Sequence, residues 1–108
     1  MTILADEFQE TCNETAIYPR DQGVVYTLLG LSNEAGELLG KYKKFLRDSS
    51  DWSDVREAMI GELGDVLWYC AQLSTELDVE LSTVMERVLH KLQDRKARGV
   101  IGGSGDNR

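Results

Sequence analysis

Apolar residues recur every three or four positions through most of this chain, which is the spacing typical of amphipathic helices. The first such stretch contains Leu4, Phe8 and Cys12 and predicts a helix near residues 3–16. Pro19 ends this stretch, because a proline disfavours helical geometry in the residue before it.

A second and longer stretch predicts a helix from Gln22 to Arg47. Its apolar residues form one stripe: Val24, Leu28, Leu31, Ala35, Leu38, Leu39, Tyr42, Phe45 and Leu46. The polar segment Asp48–Asp51 then reads as a loop. Asp51 or Ser53 is a suitable N-cap for the next helix, since both side chains can accept a hydrogen bond from a free backbone N–H.

The third and fourth predicted helices flank a short connection at Glu76–Glu80. The stripe of the third helix is Val55, Met59, Leu63, Val66, Leu67, Cys70, Leu73 and Leu77. The fourth helix begins near Leu81 or Ser82 and has Gly99 as its C-cap residue. Its stripe is Val84, Met85, Val88, Leu89 and Leu92. No segment shows the signals of a β-hairpin, so the pattern predicts an all-α bundle of about four helices.

The end of the chain differs in composition from the rest. Residues 99–108 include four glycines and no apolar periodicity, so we expect a flexible tail after a helical domain at residues 1–98.

Length and charge narrow the classes of function. A chain of 108 residues with 42% hydrophobic residues forms one small domain, and a four-helix fold of this length leaves much surface uncovered, which favours self-association. A net charge of −7 argues against nucleic-acid binding, which normally uses a basic face. No segment approaches the roughly 18 apolar residues of a membrane span. The acidic N-terminus does not resemble a signal peptide, so we expect a cytoplasmic protein.

Two pairs of acidic residues are the candidate chemistry. Glu34 and Glu37 are three residues apart on the second predicted helix, and Glu62 and Asp65 are three apart on the third, so each pair shares one helix face. Both pairs lie among apolar residues, where an unneutralised carboxylate is unfavourable. Mg²⁺ or Mn²⁺ suits such oxygen ligands, which indicates an enzyme acting on phosphates.

An ordinary surface role is the competing interpretation. Acidic residues three apart are common on exposed helices, and Glu37 with Lys41 has the spacing of a salt bridge. The matching position of both pairs beside the apolar stripes favours the metal site. Gly36 and Gly64, one inside each pair, suggest a close approach of the two helices, although simple helix packing would also explain them.

At these residues the chain resembles the MazG-like family of all-α nucleoside triphosphate pyrophosphatases. The resemblance covers about residues 20–108 and rests on four segments: Leu31–Leu38, Glu62–Tyr69, Lys91–Gly99 and Gly103–Arg108. It implies Mg²⁺-dependent hydrolysis of a (deoxy)nucleoside triphosphate to the monophosphate and pyrophosphate. It also implies a homodimer or homotetramer with active sites near the subunit contacts. A phosphoribosyl-ATP pyrophosphohydrolase and a non-catalytic helical oligomerisation module remain as alternatives.

The resemblance also suggests roles for individual residues. The catalytic and metal-binding set is Glu34, Glu37, Glu62 and Asp65, one of which could act as the general base. The expected substrate-binding residues are Lys91 and Arg95 for the phosphates, with Tyr69 and Trp68 for the sugar or base. A solvated helix end is the alternative role for Lys91 and Arg95. Core packing is the alternative for Tyr69, and an intersubunit contact is the alternative for Trp68. The tail is expected to be disordered without ligand and to fold over bound nucleotide.

Overall fold

The computed structural model describes residues 1–108 and confirms an all-α fold. Its helices are α1 (Ala5–Glu14), α2 (Gly23–Asp48), α3 (Trp52–Glu76) and α4 (Leu81–Ala97), with a single 3₁₀ turn at Arg20–Gln22. None of the helices combines the length and apolar character that crossing a membrane requires.

The helix ends follow local sequence signals. α3 begins after Asp51, whose carboxylate accepts a hydrogen bond from the backbone N–H of Ser53 at 3.1 Å. Asp51 is therefore the N-cap of α3. Gly99 follows α4 with a φ of 71°, a left-handed geometry that glycine adopts without strain.

α2 and α3 form an antiparallel pair that organises the molecule. Gly23 of α2 lies against Glu76 of α3, and Lys41 lies 3.7 Å from Glu62, so the two helices run in opposite directions. Only Ser49 and the two residues after it connect them. This pairing sets residues in the middle of α2 opposite residues in the middle of α3.

α1 is held against the C-terminal half of α3 by hydrogen bonds. The buried Gln72 amide donates to Asn13 Oδ1 at 3.2 Å and to the Tyr18 hydroxyl at 3.1 Å. Tyr18 in turn donates to Glu76 at 2.7 Å. At the other end of α1, Asp6 accepts from the backbone N–H of Ser82 at 2.9 Å, which joins α1 to the start of α4.

The closest approach of α2 and α3 occurs at two glycines other than those expected. A Cβ atom at Gly30 would overlap the ring of Tyr69, and one at Gly23 would overlap the Glu76 carboxylate. No atom lies within 4 Å of a Cβ at Gly36 or Gly64. Close packing therefore occurs near one end of the helix pair and beside Tyr69, and not inside the acidic pairs.

The single chain has a small core and a large surface. Only 9 of 108 residues are buried, and the accessible surface is 7916 Å², against about 6,000 Å² expected for a compact monomer of this mass. The radius of gyration is 16.8 Å, against about 13 Å for a compact domain of this length. The apolar stripe of α4 is exposed along its whole length: Val84, Met85, Val88, Leu89 and Leu92.

We expect Gly30→Ala to lower the free energy of unfolding by about 1–3 kcal/mol, because its methyl group overlaps the Tyr69 ring and forces the helices apart. Gly40→Ala is the matched control, since a Cβ there meets no atom within 4 Å. Its higher helix propensity should raise stability by up to about 1 kcal/mol. Urea unfolding followed by circular dichroism measures both changes, and an equal response of the two variants would contradict this packing.

Candidate functional site

Three carboxylates from α2 and α3 converge in the middle of the helix pair. Glu34, Glu62 and Asp65 each place one oxygen within 4.8 Å of the other two. The i, i+3 spacing puts Glu62 and Asp65 on one face of α3, and the antiparallel register sets Glu34 opposite them. These three side chains are called the carboxylate cluster below.

The carboxylate cluster is electrostatically unfavourable without a cation. Burial, together with the nearby carboxylates of Glu62, Glu37 and Asp65, raises the pKa of Glu34. The Oε2 atoms of Glu34 and Glu62 are buried and have no hydrogen-bond partner. Lys41 Nζ, 3.7 Å from the other oxygen of Glu62, offsets part of the charge. Unpartnered carboxylate oxygens this close together fit a hard divalent cation, which takes oxygen ligands.

Glu37 lies beside the carboxylate cluster and not within it. Its side chain is exposed and lines a neighbouring cavity with Gly40, Lys41, Lys43 and Lys44. Its charge nevertheless contributes to the raised pKa of Glu34. The structure thus brings three of the four predicted acids together. It leaves the fourth, Glu37, outside the cluster, three residues after Glu34 on α2.

A cavity of about 340 Å³ adjoins the carboxylate cluster and contains both predicted aromatic residues. It is lined by Thr15, Glu34, Asp65, Trp68 and Tyr69. The rings of Trp68 and Tyr69 meet edge to face, 4.9 Å apart between centroids. Burial, the neighbouring Tyr26 and the charges of the two acids raise the pKa of Tyr69, so its phenol stays protonated at neutral pH.

Thr15 is a cavity residue that the sequence did not indicate. It follows the last residue of α1, and no motif or periodic pattern marks it. It reaches the cavity because the end of α1 is bonded to α3 through Asn13 and Gln72, which are 59 positions apart in the chain. Sequence spacing contains no signal for a pairing over that separation.

Lys91 and Arg95 line a different cavity, at the end of α4. That cavity has a volume of about 310 Å³ and is formed with Asp94, Arg98, Asp106, Asn107 and Arg108. Arg95 is buried, with its Nε atom unpartnered, whereas Lys91 is exposed. Within one chain, the two predicted phosphate contacts and the carboxylate cluster therefore belong to separate cavities.

The tail folds back on itself and contacts α4. Asp106 accepts from Lys91 Nζ at 2.9 Å and from Arg95 at 3.2 Å, and these interactions lower the pKa of Asp106. The Arg108 guanidinium donates to the carbonyls of Ile101 and Gly102, at 3.0 and 3.1 Å. The tail thus has contacts of its own without ligand, and its flexibility stays a prediction.

Without metal, we expect Glu34→Gln to stabilise the protein at neutral pH. The raised pKa means that the native state keeps a proton that the unfolded state releases. Wild-type stability therefore falls as pH rises from the ordinary glutamate value of 4.5 through the raised native value. The advantage of the variant should be full above that window and absent below it. Thermal unfolding in EDTA across this pH range measures the difference.

Glu57→Gln is the control for this prediction, because Glu57 is an exposed glutamate on α3 that contacts Arg56 and not the carboxylate cluster. A stabilisation of Glu34→Gln that persists at low pH, or that Glu57→Gln reproduces, would show that charge repulsion in the cluster is not its cause.

The segment that contains this site matches a known protein domain. Residues 22–100, which include α2, α3, α4 and the carboxylate cluster, match the MazG nucleotide pyrophosphohydrolase domain. The chain is also 50% identical over 111 residues to the Gene 37 protein of Mycobacterium phage L5, an alignment that covers 95% of this chain and 97% of that protein. No solved structure gives a significant match. The chain therefore belongs to the MazG nucleotide pyrophosphohydrolase family.

Proposed function

We propose that this protein is an Mg²⁺-dependent hydrolase that converts (deoxy)nucleoside triphosphates to monophosphates and pyrophosphate, and so controls the nucleotide pool. The observation that carries the proposal is the carboxylate cluster, with two buried and unpartnered oxygens inside the matched domain. Membership of the family supports pyrophosphohydrolase activity in general. The triphosphate substrate and the choice of Mg²⁺ over Mn²⁺ are our extension of it.

In this proposal Glu34, Glu62 and Asp65 would hold the metal ion, and Glu37 would complete the ligand set from the adjoining turn of α2. Mg²⁺ bound there would lower the pKa of a coordinated water and neutralise phosphate oxygens. One of the four carboxylates would instead act as the general base toward the attacking water. The Tyr69 phenol, protonated at neutral pH, can donate a hydrogen bond to a phosphate or sugar oxygen beside Asp65.

We further propose that Lys91 and Arg95 of one copy contact the phosphates held at the carboxylate cluster of another copy. Within one chain these residues line separate cavities, and the unpaired apolar stripe of α4 provides a surface for a second copy. The excess of exposed surface over that of a compact monomer also favours a homodimer or homotetramer. In such an assembly the triphosphate would replace Asp106 as the ion-pair partner of Lys91 and Arg95.

Asp65→Asn and Glu37→Gln should each lower kcat/KM by about 100-fold or more, because each removes a charge that holds the metal. Glu57→Gln, an exposed glutamate on the same helix as Asp65, should retain wild-type activity. Pyrophosphate release with Mg²⁺ is measured for the eight common nucleoside triphosphates and for phosphoribosyl-ATP, with Mn²⁺ and EDTA reactions alongside.

The outcomes separate the candidate functions. Full activity in both Asp65→Asn and Glu37→Gln would refute the metal site. Hydrolysis of phosphoribosyl-ATP alone would favour that narrower activity. No hydrolysis of any substrate by the wild type would favour the non-catalytic oligomerisation module.

Light scattering at micromolar concentration should give two or four times the chain mass of 12.1 kDa. Val88→Glu, which places a charge in the exposed α4 stripe, should lower that mass, and Arg87→Glu on the same helix should not. If subunits share the site, mixing inactive Asp65→Asn and Lys91→Ala chains should restore about a quarter of wild-type activity in a random dimer. A monomeric wild type, or a mixture no more active than its parts, would contradict this assembly.

A further inference from the structure

The cavity beside the carboxylate cluster has two chemically different sides. Glu34 and Asp65 form one side, and Trp68, Tyr69 and Thr15 form the other. Its volume of about 340 Å³ lies within the range of small-molecule sites. A molecule with its phosphates at the carboxylates would therefore extend its remaining part toward the aromatic side.

Thr15 determines how Trp68 is presented to this cavity. The Thr15 hydroxyl donates its proton to the carbonyl of Cys12 at 2.9 Å, so the same oxygen is left to act as an acceptor. It accepts from the indole Nε1–H of Trp68, also at 2.9 Å. Thr15 is exposed and Trp68 is partly exposed, so this bond fixes a ring at the surface and not one inside the core.

Thr15 is itself held in place by the polar contacts of α1. Asn13, two residues before it, accepts from the fully buried Gln72 at 3.2 Å and from Arg20 at 2.9 Å. Asn13 and Thr15 both lie outside residues 22–100, the segment that matches the family domain. Thr15 is therefore the one cavity-lining residue that comes from outside the shared domain.

We propose that Trp68, positioned by Thr15, is the surface on which the nucleobase stacks, and that it recognises any base by its flat face without discriminating among bases by their hydrogen-bonding edges. This inference rests on the proposed function. The Trp68 N–H and the Thr15 O–H are already used within the protein, so neither can read a base edge. Stacking tolerates every base, whereas strong discrimination requires polar groups that a wrong base leaves unpaired.

Fluorescence tests the position of Trp68 directly. The chain has two tryptophans, and Trp52 packs against Tyr42 and Phe45 outside this cavity, so Trp52→Phe leaves Trp68 as the only tryptophan, which can be excited selectively. We expect α,β-imido nucleoside triphosphates with Mg²⁺ to change its emission. Inorganic tripolyphosphate, which has the charge but no base, should not.

An equal response to tripolyphosphate would mean that Trp68 senses phosphate charge, and it would overturn the inference. Binding of the imido analogue by calorimetry with no change in emission would do the same.

Kinetics test Thr15 as a positioning residue. Trp68→Leu should raise KM by roughly 5- to 100-fold for purine and pyrimidine substrates alike, with kcat changed much less. Thr15→Val, which keeps the shape and removes the hydrogen-bond acceptor, should raise KM by about 5-fold. Thr15→Ser should restore the wild-type value. A change in kcat alone, or an effect on KM that Thr15→Ser does not reverse, would indicate a merely structural role.

The failure of this inference can be distinguished from the failure of the proposed function. An active wild type with an unchanged KM in Trp68→Leu refutes the stacking surface and leaves the pyrophosphohydrolase intact. An inactive wild type refutes the proposed function, and the fluorescence comparison then decides whether Trp68 contacts a base. A wild type that discriminates among the bases by more than about 1,000-fold refutes recognition by shape.

Discussion

The convergence of Glu34, Glu62 and Asp65 between two helices is the constraint on which the rest of the structure depends. Like charges at this separation repel, and two of their oxygens are buried without partners. The fold can hold them only on rigid supports. The contact of Gly30 with Tyr69 provides that rigidity, because Gly30 lies one turn before Glu34 and Tyr69 one turn after Asp65. The distance between the helices, and so between the carboxylates, is fixed next to the site.

The small core is a second constraint, because it leaves much apolar surface of the chain exposed. A long helix pair with α1 on one side buries few residues, and α4 touches the rest mainly through its first turn, where Ser82 bonds to Asp6. The apolar stripe of α4 is therefore exposed on the same helix as Lys91, which is exposed, and Arg95, which is buried against Asp106 of the tail. In the assembly that we propose, the stripe would be buried and the two basic residues would reach another subunit, so stability and activity would arise from the same contact.

The site combines residues of the matched domain with one residue that precedes it. The carboxylates and Trp68 belong to the matched domain, in which helix register brings the carboxylates together. Thr15 lies before that domain and acts on Trp68 through one hydrogen bond. If Trp68 stacks on the base as we propose, a change at Thr15 would weaken base stacking and leave the carboxylate cluster in place.

The sequence by itself determined what depends on local spacing. Helical periodicity predicted four helices, Asp51 and Gly99 marked helix ends, and the i, i+3 pairs placed acids on shared faces.

The tertiary structure decided what depends on pairing between helices. It set the close contact at Gly30 and not at Gly36, left Glu37 outside the carboxylate cluster, and placed Lys91 and Arg95 in a separate cavity with the tail. It also brought Thr15 to Trp68. The physical reason is that periodicity fixes only the direction in which a side chain points from the axis of its helix. The register between two helices, and the burial of each side chain, follow from packing among residues far apart in the chain.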